Sequence, residues 1–132
     1  MVSPADRKEM IETSKTALEH AYAPYSGFKV GAAVLGSSGK VYSGCNVENA
    51  SYGLSVCAER VAIFKAICEG ESSIVSVAVA SSSREPAFPC GACLQVIAEF
   101  ADKPQNLEIH LISESGMETH TFAELLPHSF GL

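Results

Sequence analysis

Ile74-Val75-Ser76-Val77-Ala78-Val79-Ala80 is an apolar run of strand length, rich in β-branched residues and without polar alternation. Such a run suits a strand buried on both faces, which requires cover above and below. The flanking sequence supplies it. Upstream, Cys57 to Glu69 reads as a helix with Gly70 as its C-terminal stop. Downstream, Ser81–Pro89 reads as a loop, and a further helix follows from about Cys90 to Ala101. Phe28 to Leu35 and Val41 to Val47 read as a hairpin around Gly36-Ser37-Ser38-Gly39. Leu107 to Ile112 and Met117 to Thr121 give two more strands around Ser115-Gly116, and Phe122 to Leu126 a last helical turn before Pro127.

At the start of the chain, Ser3 can cap a helix with Pro4 at its first position and Asp6 completing the turn. Its apolar stripe runs through Met10, Ile11, Ala17, Leu18, Ala21 and Tyr22 and stops before Pro24. The order αββαβαββ predicts an α/β fold: one mixed five-stranded sheet covered by helices, with residues 1–132 forming a single domain.

Composition narrows the partners. The chain has 132 residues, 47% apolar and 18% charged, with a net charge of −6. A domain that neutralises phosphates carries basic clusters, and no dense Lys/Arg run exists here, so a small ligand is expected rather than a nucleic acid polymer. The longest apolar runs are too short to span a bilayer, and the first residues contain no secretory apolar segment. Five cysteines without an export signal favour metal binding or catalysis over a disulfide framework, and a cytoplasmic location.

Three of those cysteines stand where chemistry needs them. Cys57-Ala58-Glu59 opens one helix and Pro89-Cys90-Gly91-Ala92-Cys93 opens another. Helix N-termini favour thiolate over thiol, so two dipoles can converge on one metal. Three thiolates leave a tetrahedral zinc one open position, the catalytic rather than the closed arrangement. Glu59, two residues after a ligand, can reach a water there without coordinating the metal and can shuttle its proton. A lone C-x-x-C also suits a redox pair or half a structural zinc ribbon. A structural site needs a fourth ligand, however, and His20, His110, His120 and His128 are dispersed. Cys45 and Cys68 read as packing residues, with Cys68 buried in the helix stripe near Phe64 and Ile67. Cys57-x-Glu59 followed by Pro89-Cys90-x-x-Cys93 matches the all-cysteine form of the zinc deaminase signature.

The resemblance extends over nearly the whole chain. Tyr22-Ala23-Pro24-Tyr25-Ser26-Gly27-Phe28-Lys29-Val30-Gly31-Ala32-Ala33, Gly44-Cys45-Asn46-Val47-Glu48-Asn49-Ala50-Ser51-Tyr52, Cys57-Ala58-Glu59-Arg60 and Glu124-Leu125-Leu126-Pro127-His128-Ser129-Phe130 accompany the zinc motifs. In this the sequence resembles the cytidine deaminase family in its small homotetrameric form. The resemblance implies a three-layer α/β/α sandwich, one Zn2+ per chain on Cys57, Cys90 and Cys93, and Glu59 as the catalytic proton shuttle. It implies hydrolysis of free cytidine and deoxycytidine, in pyrimidine salvage. It also implies Asn46 and Glu48 on the ribose hydroxyls, Phe28 against the pyrimidine, and the Ala58 backbone at the base edge. Tyr52 and Phe130 correspond to residues that complete a neighbouring subunit's site, and Arg60 to one that donates to a thiolate. Leu94 departs from the pattern, since the family usually has an arginine there. Two alternatives stay open: a zinc deaminase of another aminated heterocycle, and a non-catalytic module that uses zinc to hold two helices together.

Overall fold

β3 (Ile74–Ser81) lies at the centre of the sheet, as its unbroken apolar run requires: every residue but Val75 is buried. The computed structural model describes residues 2–132. Around β3 stand α1 (Pro4–Leu18), β1 (Val30–Gly36), β2 (Val41–Cys45), α2 (Ala58–Cys68), α3 (Gly91–Phe100), β4 (Glu108–Ser113), β5 (Gly116–Thr121) and α4 (Phe122–Leu125). The sheet order is β2-β1-β3-β4-β5, with β3 and β4 parallel and the other pairs antiparallel. Alternation along β1 builds both faces. Ala32 and Val34 pack with Ala62 and Ile63 of α2 and Ile97 of α3. Ala33 and Leu35 pack with Met10 of α1. The α/β/α sandwich with a mixed five-stranded sheet is therefore as expected.

The register decides where a site can form. Cys45 at the end of β2 lies opposite Gly31, and Ser81 at the end of β3 lies opposite Val30. Both strands thus finish at one edge of the sheet, beside the start of β1. From that edge the chain enters α2 and α3, so both helix N-termini converge there, the usual place for a ligand in an α/β sheet.

Several boundaries differ from expectation. β1 begins at Val30, not Phe28, because the Asn46 side chain stands in for a strand partner: Val30 N donates to its Oδ1 at 2.9 Å and its Nδ2 donates to Phe28 O at 2.8 Å. β2 ends at Cys45, and Val47 instead bridges Tyr22 and Val56. The α1 stripe stops at Leu18, since the Glu19 and His20 N–H groups close on Thr16 and Ala17, leaving Ala21 and Tyr22 outside. Two 3-10 turns, Tyr52–Leu54 and Pro104–Asn106, were not expected. Cys68 is exposed rather than buried, because α2 turns Ala58, Ala62, Ile63 and Ala66 inward and Cys68 lies off that row.

Small residues set how closely α2 lies on the sheet. A Cβ at Gly44 would stand 2.5 Å from Ala62 N and 2.6 Å from Ala58 O, both backbone atoms. Gly44→Ala should therefore push the first turn of α2 outward and destabilise the fold by about 1–3 kcal/mol, the scale of core overpacking. A denaturant midpoint unchanged from wild type would contradict this.

Candidate active site

Cys57 is the N-cap of α2 and Cys90 the N-cap of α3, both in extended backbone conformation. Neither side chain caps its own helix, so both sulfurs remain directed at their surroundings. Cys93, in the first turn of α3, completes the group. The three sulfurs lie within 4.8 Å of one another, with Cys57–Cys90 at 3.8 Å and Cys90–Cys93 at 3.6 Å. This is the only such cluster of potential metal ligands among the described residues. Three soft sulfur donors at two helix N-termini fit Zn2+, and three protein ligands suit a catalytic rather than a closed site.

The three thiols do not share one electrostatic environment. The hydrogen bond from the Cys93 thiol, with help from Arg60 and Cys90, holds the Cys57 thiol down at about 5. Cys93 is correspondingly pushed up, by its hydrogen bond to Cys57, by burial and by the nearby charge of Glu59. Arg60 Nη2 donates to Cys57 Sγ at 3.5 Å, and this contact raises the affinity of the guanidinium for its proton. Leu94 is buried in the core with Ile97. Glu59, in the first turn of α2, is 4% exposed, and burial pushes its carboxyl up to about 7. A carboxyl poised there is matched to moving protons near neutrality.

A cavity of about 160 Å³ opens beside the sulfurs and is lined by Phe28, Val30, Asn46, Cys57, Ala58, Glu59, Ala87, Phe88 and Cys90. It thus gathers Phe28, Asn46, Ala58 and Glu59 with two of the cysteines. Glu48 and Tyr52 line a separate cavity of about 260 Å³ with Tyr25, Ser26, Asn49 and Ser55. The Glu48 carboxylate is already engaged: Oε1 accepts from Tyr25 N at 3.0 Å and Ser26 N at 3.1 Å, and Oε2 accepts from the Ser26 hydroxyl. Those bonds hold its carboxyl below the usual carboxylate range, the Ser26 hydroxyl contributing most. Oε2, with one accepted bond, and the amide of Asn46 keep capacity for a further hydrogen bond.

Phe130 lines neither cavity. Gln95 Nε2 donates to Phe130 O at 3.1 Å, tying the tail to α3, while the residue is 69% exposed. Tyr52 is 85% exposed. Both aromatics stand on the surface of the single chain. Sequence reading missed Phe88, Ala87 and the Gln95 tether; an aromatic just ahead of Pro89-Cys90 was the one local signal for the first.

Residues 4–107 match the family described as the cytidine and deoxycytidylate deaminase zinc-binding region. The cytidine deaminase of Sporosarcina psychrophila is 46% identical over 126 residues, covering 95% of this chain and 91% of that one. The cytidine deaminase of Halalkalibacterium halodurans is 47% identical over 126 residues, covering 95% and 94%. The crystal structure of cytidine deaminase from Burkholderia pseudomallei superposes with a TM-score of 0.86 at 45% identity, covering 93% of this chain and 98% of that one. With that fold and three converging cysteines, the chain belongs to the zinc-binding cytidine and deoxycytidylate deaminase family.

Proposed function

We propose that this chain hydrolyses free cytidine and deoxycytidine to uridine and deoxyuridine, releasing ammonia. The observation that carries the reading is Glu59, a buried carboxyl beside three sulfurs and opening on the same cavity as Phe28 and Asn46. A module that used zinc only for structure would have no need of it. The acidic charge and the polar pair Asn46 and Glu48 favour a free nucleoside over a polynucleotide.

Cys57, Cys90 and Cys93 would hold the zinc, and when bound it supplies Lewis acidity that makes water nucleophilic near neutral pH. Glu59 takes a proton from the attacking water and passes it to N3 of the ring. It then takes the second and delivers it to the exocyclic nitrogen, which leaves as ammonia while the water oxygen becomes the C4 carbonyl. Arg60 offsets the charge of the thiolates. Phe28 packs on the pyrimidine and the Ala58 backbone meets the base edge, while Glu48 accepts from the sugar hydroxyls, Asn46 accepts from or donates to them, and both brace the 25–30 segment. Following the loss of cytidine absorbance, with cytosine, CMP, adenosine and guanine beside it, tests the reading. Turnover of another of these in place of cytidine would reject it.

The reading includes a homotetramer with shared sites and a cytoplasmic location, where thiols stay reduced and free nucleosides occur. Exposed Tyr52, Phe64 and Phe130 support the assembly, since aromatics left on the surface of one chain gain cover on another. Removing residues 130–132 is expected to raise KM for cytidine about tenfold while leaving zinc bound. An active monomer in light scattering, or an unchanged KM, would refute the shared site.

A further inference from the structure

Phe88 lines the cavity beside Cys90, yet the mechanism above gives it no task. It is 53% exposed, so it does not serve the core. Its ring is nonetheless held from behind. The His120 ring lies against it, centroids 5.3 Å apart and tilted by 56°. His120 is in turn fixed at both nitrogens, Nε2 2.9 Å from Glu118 Oε1 and Nδ1 3.2 Å from Glu124 Oε2. Glu124 is itself locked, its Oε1 accepting from Thr121 N at 3.0 Å in the capping box of α4. A chain of contacts from β5 and α4 thus ends on one aromatic ring at the cavity. Recognition surfaces are built from side chains whose positions are fixed by such support.

The position of that wall says what it would touch. The reacting C4 must sit beside the sulfurs and Glu59, and its two ring neighbours are N3 and C5. Ala58 and Glu59, at the start of α2, serve the N3 side. Ala87 and Phe88 line the same cavity from the loop between β3 and α3, just before Cys90, and with the N3 side taken they are left to face C5. We propose that Phe88 is a specificity-determining residue that limits the size of substituent accepted at C5 of the cytosine ring, with His120 as the residue that positions it. This rests on the deaminase reading above.

The test compares kcat/KM for cytidine, 5-methylcytidine and 5-iodocytidine in the wild type, Phe88→Ala, Phe88→Leu and His120→Gln. Gaining or losing a methylene-sized space in an apolar pocket changes discrimination by roughly 10–200-fold. Phe88→Ala should therefore shift the ratio of 5-iodocytidine to cytidine by about tenfold or more toward the larger base. Phe88→Leu should shift it partway, and keeps an apolar side chain at the position even where the Ala variant proves unstable. His120→Gln, which can keep a hydrogen bond to one carboxylate but offers no ring, should shift the ratio in the same direction through KM more than kcat. Ratios within about twofold of wild type in both Phe88 variants, or a shift toward cytidine, would overturn the proposal while leaving cytidine deamination standing. A wild-type protein that deaminates neither cytidine nor deoxycytidine removes the reading, and the wall with it. An unchanged ratio in His120→Gln alone overturns the positioning role.

Discussion

Replacing Glu59 with Gln is expected to cost roughly 10²–10⁴-fold in cytidine turnover, the scale of a lost general acid/base, and more where one group serves several transfers. The amide is nearly isosteric, so it should fill the same buried position in the first turn of α2. It lies two residues beyond Cys57 and is no ligand, so one zinc per chain should remain. The proton, however, has no alternative carrier. Among the residues lining the cavity, Glu59 is the only carboxyl, and the thiols there would be ligands of the metal. Arg60 cannot deprotonate near neutral pH. The loss should fall on kcat, because Gln keeps the shape of the site and a polar group at the base edge. Steady-state kinetics with parallel metal analysis checks this, and a folded, zinc-loaded Gln variant with near-normal turnover would reject the proposed chemistry.

Much of this was legible in local sequence signals. The Ile74–Ala80 run marks a central strand because no half-exposed strand tolerates it, and Cys57 and Cys90 mark helix starts because Gly70 and Pro89 punctuate the neighbouring segments. Once those helices share a sheet edge, three sulfurs must meet. What stayed hidden depends on contacts distant in sequence. Asn46 reaches back to Phe28 and Val30, and Glu48 reaches back to Tyr25 and Ser26; residue type alone says only that both are polar. Glu71 likewise reads as an ordinary loop carboxylate. In the fold it is buried, accepts from Ser38 N at 3.1 Å and Tyr42 OH at 2.8 Å, and pins the β1–β2 turn. Phe88 and His120 lie 32 residues apart, and only the placement of β5 brings their rings together. Cys68 was misread because an apolar stripe on α2 does not reveal which side meets the sheet. The alanines opposite Gly44 decide that.

Cys93→Ala should abolish metal binding at stoichiometric zinc, and with it turnover. Cys93 is the fully buried member of the trio, its sulfur held 3.6 Å from that of Cys90 by the first turn of α3. Removing it leaves two sulfurs, one fewer than the three protein ligands of catalytic zinc sites. The loss of affinity should exceed the roughly 10–100-fold that follows removal of a residue that only supports a ligand. The fold should be weakened as well, since a metal that bridges two helix N-termini contributes binding energy to the folded state. Cys68→Ser is the matched control. It alters a thiol on α2, exposed and outside the cluster, and should keep one zinc per chain. Elemental analysis of dialysed protein, read with thermal unfolding before and after chelator, separates the two. Full zinc content in Cys93→Ala, or loss of zinc in Cys68→Ser, would mean that the metal sits elsewhere and that the convergence of these three sulfurs has another cause.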